Sequence, residues 1–193
     1  MDEVDKLIDD LVKDRTDVKI INDVKNYYLT SNLIMYKYIR ELLDEILDNR
    51  VNIVVKSRQI GMSHFLDSLS YAYSKNGLNV SQLIYSMKNN RFYQLLNANT
   101  NIILIDGWSY IYEHYNLDII KKYPNTKFVI VSTADNPGSI LHNIVENNID
   151  NHNVRIFTHN YLISNYDDIS IPINNQIKRV EHQREYCCEF VYV

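Results

Sequence analysis

Cysteine is almost missing from this chain: Cys187 and Cys188 are the only two, and they stand side by side. Adjacent cysteines do not readily staple a fold, so a disulfide-built secreted scaffold is excluded and a reducing compartment is expected. Neither a Cys-x-x-Cys spacing nor a His-x-x-x-His pattern occurs, which leaves no candidate zinc site. Long apolar runs are missing too. No stretch approaches the ~18 residues that a spanning helix requires, and the opening Met1-Asp2-Glu3-Val4-Asp5 is acidic, unlike a signal peptide. A cytoplasmic protein without a membrane partner is the expectation. Glycine and proline are sparse, at 4 and 3 residues, and no flexible linker or internal repeat divides the chain. With 46% hydrophobic residues over 193 positions, one globular core is expected. Charge of one sign does not dominate either: 20 Lys and Arg face 24 Asp and Glu, for a net charge of −4. That excludes a surface basic enough to hold nucleic acid everywhere, so any DNA contact must be local. Lys121-Lys122 with Lys127, and Lys178-Arg179 with Arg184, are candidate patches, alongside their plainer reading as solvated helix faces.

What is present begins at Lys56-Ser57-Arg58-Gln59-Ile60-Gly61-Met62-Ser63. A β-branched run, Val51 to Val55, precedes it, and an apolar helical pattern of Phe65, Leu66, Leu69 and Tyr73 follows. Strand, loop, helix is the context a phosphate-binding loop requires, because backbone N–H groups wrap the phosphates while the positive end of the helix points at them. Against G-x-x-x-x-G-K-[ST], Gly61 and Ser63 occupy the second glycine and the hydroxyl position, whereas Met62 replaces the lysine and Lys56 replaces the first glycine. A second apolar strand, Asn101 to Ile105, ends in Asp106, the acid that such a site uses to hold Mg²⁺ beside the β- and γ-phosphates. A third, Lys127 to Val131, runs into Ser132-Thr133-Ala134-Asp135-Asn136-Pro137-Gly138. Gly61, Gly107 and Gly138 each follow one of these strands, where turns and close backbone approach favour glycine.

These residues make the chain resemble the ATPase domain of the large subunit of viral terminases, the motors that package DNA into bacteriophage capsids. The most specific piece is Ser57-Arg58-Gln59-x-Gly61-x-Ser63, with Tyr36-Lys37 upstream where the family carries Tyr-Gln. Ser132-Thr133 through Asn136-Pro137-Gly138 is similar to the family's third motif, and Gln183-Arg184-Glu185-Tyr186-Cys187-Cys188-Glu189-Phe190 resembles the sequence that closes its ATPase domain. The likeness spans roughly residues 29 to 193, after an amphipathic helical segment in 1–28.

The resemblance implies an α/β P-loop NTPase fold, a mostly parallel central sheet with helices on both faces, and ATP with Mg²⁺ as ligands. It places Lys56 on the β/γ-phosphates from the start of the loop, as in family members with a displaced lysine. Ser57, Arg58, Gln59, Ile60, Gly61, Met62 and Ser63 would line the phosphates, with Ser63 and Asp106 on the metal. Arg58 would act on γ-phosphate charge, with Arg91 a second candidate, and Ser132 and Thr133 would sense nucleotide state. Two departures stand out. Gly107 occupies the place of the second acid that orients water, leaving Glu113 and Asp135 as substitutes, and no residues remain for the nuclease domain. DNA, a portal ring, a motor or separately encoded nuclease subunit, or copies of the chain itself are the partners implied. The rival reading is a non-hydrolysing binding module that keeps the fold and docks on a motor or host protein.

Apolar spacing predicts helices over 1–14, 32–48, 63–75, 110–122 and 138–147, and strands over 51–56, 80–86, 101–106, 127–133 and 154–157. The sixteen tyrosines fall mostly in apolar periodic stretches, which favours core use over stacking on nucleic acid.

Overall fold

The computed structural model describes residues 3–57, 60–86, 91–94, 99–108, 118–147, 152–157 and 188, with side chains for 15–57, 60–83, 99–108, 119–147, 152–157 and 188. In chain order the elements are α1 (Glu3–Thr30), α2 (Lys37–Asp48), β1 (Val51–Lys56), α3 (Met62–Lys75), β2 (Val80–Ser86), β3 (Arg91–Gln94), β4 (Ile102–Asp106), α4 (Asp118–Lys122), β5 (Lys127–Ser132), α5 (Ile140–Asn147) and β6 (Asn153–Phe157). The strands form one sheet in the order β3-β2-β4-β5-β1-β6. All neighbours run parallel except β2 and β3, so the expected α/β class with a mostly parallel sheet is what the chain adopts.

Parallel strands covered on both faces read as continuous apolar runs. Val51 to Val55 are all buried, as are Ile102 to Ile105 and Phe128 to Ser132. Alternation sends the two sets of side chains to opposite faces. Val54, Leu104, Val129 and Val131 join Ile20, Val24, Leu43, Phe65 and Leu69 from α1, α2 and α3 in one core. Ile53, Val55, Ile103, Ile105 and Ile130 join Trp108, Ile119 of α4 and Leu141 of α5 in the other. Each wholly buried Phe, Leu or Ile contributes about 1.5–3 kcal/mol. Register is fixed by these pairs: Ile130 of β5 lies beside Ile53 on one side and Ile105 on the other.

Expectation and structure differ in places. The opening helix does not stop at residue 14 but runs to Thr30, and its later turns pack on α3 through Ile20, Val24 and Tyr28. The second helix starts at Lys37 rather than 32, because Tyr36 has extended backbone (φ −63°, ψ 158°) and serves as its N-cap. β3 was not expected at all. No helix among the described residues is long and apolar enough to cross a membrane.

One ion pair ties α1 to α3. Asp23 accepts from Lys75 Nζ at 2.6 Å and from Asn76 Nδ2 at 2.9 Å. The Lys75 hydrogen bond, helped by the Asn76 bond and the Lys75 charge, outweighs desolvation and holds the Asp23 carboxyl below its ordinary pKa. A depressed folded-state pKa supplies stability above the unfolded-state value, and that stability is lost as pH falls through the folded-state value. Wild type should therefore exceed Asp23→Asn in stability at neutral pH, with the gap closing below about pH 4. Urea unfolding across that range checks it; a gap constant with pH would exclude the ion pair as its source.

Candidate functional site

Because β1, β5 and β4 are parallel neighbours, their C-terminal ends lie along one edge of the sheet. Register sets Val55 beside Ser132 and Asp106 beside Val131, so Lys56, Asp106 and Ser132 converge there from three separate segments. Ligands of open α/β sheets bind at this edge, outside the carboxyl ends of the strands.

The loop after β1 is anchored at several points. Ser57 is fully buried, and both its N–H and its hydroxyl donate to the Phe157 carbonyl of β6, at 2.9 and 3.0 Å. Its side chain thus serves the base of the loop. Buried Cys188 lies against the same carbonyl, with Sγ 3.5 Å from it. Ile60 and Met62 are 5% and 2% exposed and belong to the α1–α3 core. The Tyr38 hydroxyl, from the first turn of α2, donates to the Ile60 carbonyl in a buried bond. Gly61 then turns the chain with φ +79°, where an L side chain costs about 1–2 kcal/mol although a Cβ would meet nothing within 4 Å. As the N-cap of α3 it offers no side-chain bond to that helix's first turn, whose N–H groups form its positive end.

Ser63 is the second residue of α3 and is exposed, and its hydroxyl donates to Asp106 Oδ2 at 2.8 Å. This bond joins the loop to the acidic strand. Asp67 lies one helical turn beyond Ser63. Burial first, then the Asp106 charge, raise its pKa, with His64 opposing. The Asp106 charge is thus felt by a second carboxylate on α3.

Beside the loop is a cavity of about 390 Å³, bounded by Gly61, Ile60 and His64 on one side and by Tyr28, Leu33 and Tyr36 on the other. Tyr36 stacks on Tyr38 with centroids 5.9 Å apart at 11°. The floor of the cavity is therefore built by the same tyrosine that holds the loop carbonyl.

Ser132 and Thr133 are buried at 1% and 7%, and the Ser132 hydroxyl donates to the Thr133 carbonyl at 2.9 Å. The pair lies at the C-terminal edge of the sheet, and the Ser132 hydroxyl bonds to neighbouring backbone. Asp135 accepts from the Ser139 hydroxyl, and Ser139 Oγ in turn accepts from the His142 N–H at 3.0 Å, a helix cap for α5. The Gly138 N–H donates to His142 Nδ1 at 2.8 Å while Nε2 lies 3.0 Å from Glu146. Gly107 has φ +83° and donates its N–H to the Val131 carbonyl at 2.9 Å. Arg91 begins β3, the edge strand farthest from the loop. Arg58, Gln59, Glu113, Lys178, Arg179 and Arg184 lie outside the described residues.

The structure thus brings together Lys56, Gly61, Ser63 and Asp106 at one edge. Sequence reasoning missed Asp67, although its spacing of four from Ser63 puts both on one helix face. It also passed over Tyr38, whose tie to Ile60 depends on the tertiary fold. Among the described residues no group of three or more His, Cys, Asp or Glu side chains could hold a metal ion. Compared with protein-family models, with curated proteins and with solved structures, the chain matches none.

Tyr38→Phe should leave the Ile60 carbonyl without its buried donor and reduce stability by about 1–3 kcal/mol. Urea denaturation, with hydrogen exchange of the Gly61 and Met62 amides, checks this. Unchanged stability and unchanged loop protection would show that the hydroxyl does not anchor the loop.

Proposed function

We propose that this chain is a P-loop ATPase domain of the terminase type, binding ATP with Mg²⁺ at the edge where β1, β5 and β4 end, and serving viral DNA packaging. The hydrogen bond from Ser63 to Asp106 is the observation that carries the reading, because it brings the hydroxyl after the loop glycine to the acid of another strand. Adjacent ligands of an octahedral Mg²⁺ with oxygens at ~2.0–2.1 Å stand about 2.9 Å apart. The 2.8 Å between Ser63 Oγ and Asp106 Oδ2 fits such a pair with little movement. Both donors are hard oxygens, and Mg²⁺ usually takes only one or two protein ligands, leaving the rest to water and phosphate. When bound, the ion would neutralise charge on the β- and γ-phosphates.

Lys56 would bring a flexible point charge to the phosphates from the end of β1. Met62 is committed to the core at 2% exposure, so the usual lysine position is closed and the cation must come from elsewhere. The cavity beside Gly61 offers room for a nucleoside joined to those phosphates. Lys56→Ala should weaken ATP binding by roughly ten-fold or more, the equivalent of a lost charge-assisted contact of ~1.5–3 kcal/mol. Ser63→Ala and Asp106→Asn should remove most of the gain in affinity that Mg²⁺ provides. Calorimetry with and without Mg²⁺ tests both, and equal ATP affinity in wild type and Lys56→Ala would refute the displaced-lysine site.

Gly107 supports a second reading, a binding module that holds nucleotide without hydrolysing it. Its positive φ disfavours the acidic side chain that would orient water, and its N–H is already tied to β5. Asp135, the substitute among the described residues, is engaged in capping α5. Slow turnover by the isolated chain is therefore expected, rising when DNA, a portal ring, a motor or nuclease subunit, or further copies complete the site. ATP turnover measured with and without duplex DNA separates the two readings: brisk turnover that survives Asp106→Ala would place the chemistry somewhere else.

A further inference from the structure

At the opposite pole of the sheet, where β1 begins, a second cavity of about 330 Å³ opens to solvent. Arg50, immediately before β1, and Lys121, in the last turn of α4, enter it from two separate elements, with His152 beside them. Arg50 is held by its backbone, whose carbonyl accepts from Phe128 at 2.7 Å. Among the described residues, neither the Arg50 nor the Lys121 side chain has an ion-pair partner and no acid lines the cavity. Glu45, which reaches Asn153 of the same cavity wall, is already paired with Arg155. The neighbouring lysines that the sequence grouped with Lys121 are otherwise engaged. Lys127 Nζ donates to the Ile46 and Leu47 carbonyls at 2.5 Å each, and Lys122 lies over the Tyr123 ring at 5.9 Å.

We propose that Arg50 and Lys121 form a phosphate socket that grips the backbone of duplex DNA at the end of the sheet remote from the nucleotide loop. Two cations with no counter-ion among the described residues, set in a concave surface, attract a phosphate, and an arginine fork can take two of its oxygens at once. The other walls decide what kind of phosphate fits. A small phosphate ligand would need amide donors to cradle it, yet the Asn49 side-chain amide donates to Glu45 O at 2.8 Å and that of Asn153 to Asn52 Oδ1 at 2.9 Å. Single strands would need large aromatic platforms for their bases, and no Phe, Tyr or Trp among the described residues lines the cavity. Charge without cradle or platform suits the sequence-independent grip on a duplex backbone. The socket stands on its own geometry and does not require the nucleotide reading. Both sites nonetheless share β1, with Arg50 just before its first residue and Lys56 its last, about 20 Å apart at ~3.3 Å per residue.

The test is fluorescence anisotropy of a labelled duplex oligonucleotide with wild type and with Arg50→Glu/Lys121→Glu, between about 50 and 200 mM salt. The double variant should bind at least ten-fold more weakly at the low-salt end. Its slope of log affinity against log salt should be shallower by about two, at roughly 0.9 per phosphate contact. Lys121→Glu alone, at an exposed helix end, should give about half the slope change and keeps the test decisive if the double variant misfolds. ATP affinity should be the same in all three proteins. Equal duplex binding by variants and wild type overturns the socket. So does wild type that binds inorganic phosphate in calorimetry through Arg50 and Lys121 but fails to bind the duplex, which would make the pocket a small-anion site.

Discussion

Parallel pairing of β1, β5 and β4 is the constraint on which the rest of this molecule depends. Both faces of these strands are buried, so their middles must be Val, Ile, Leu and Phe, and polar chemistry is pushed to the ends. Since the strands point the same way, all the C-terminal ends share one edge. Asp106 comes 43 residues after Ser63 in the chain and still meets it at 2.8 Å, because α3 starts at that edge and β4 stops there. β5 lies between the loop strand and the acidic strand and sets their separation through the registers Val55 to Ser132 and Asp106 to Val131.

The loop shows how packing demands and site chemistry trade positions. Tethering at Ser57, Ile60 and Met62 turns alternate parts of the loop inward, to β6, to Tyr38 and to the α1–α3 core. Among the described residues of the loop, Gly61 and Ser63 remain exposed. A lysine in place of Met62 would have to leave a position with 2% exposure, and burying its charge there would be costly. On the proposed nucleotide reading, Lys56 at the half-buried end of β1 would supply the cation without altering the turn at Gly61.

Legibility in the sequence followed how local each cause was. β1, β2, β4, β5 and β6 were readable to within a residue, and for β1, β4 and β5 a two-sided burial requirement writes itself as a nearly unbroken apolar run. Asp106 stands directly after the run Ile102 to Ile105, and Ser63 just before the helical pattern of Phe65, Leu66 and Leu69. α1 was legible as a helical segment but its apolar period was followed only to residue 14, since charged residues between Ile20, Val24 and Tyr28 of its later turns blur the pattern. Leu33 and Tyr36 fit a helical spacing with Ile39 and Leu43, yet they belong to the extended segment that walls the cavity beside Gly61. The Tyr38 tie to Ile60 spans 22 residues and the β6 contact of Ser57 spans 100, distances that no periodicity encodes.

Gly107 joins these arguments at one residue. Its left-handed backbone lets the chain turn sharply after Asp106, while its N–H closes onto β5 at the Val131 carbonyl. That tie restrains the acid on which Ser63 depends, and Trp108 immediately after it is buried in the second core at 1% exposure. A side chain at position 107 would sit in the strained region, and relaxing that strain would pull against both Asp106 and Trp108. The geometry that steadies the Ser63–Asp106 pair is therefore the same geometry that disfavours a second acid beside it. On the proposed ATPase reading, water would have to be oriented by a group from another segment or another chain, and nucleotide binding need not bring fast hydrolysis with it.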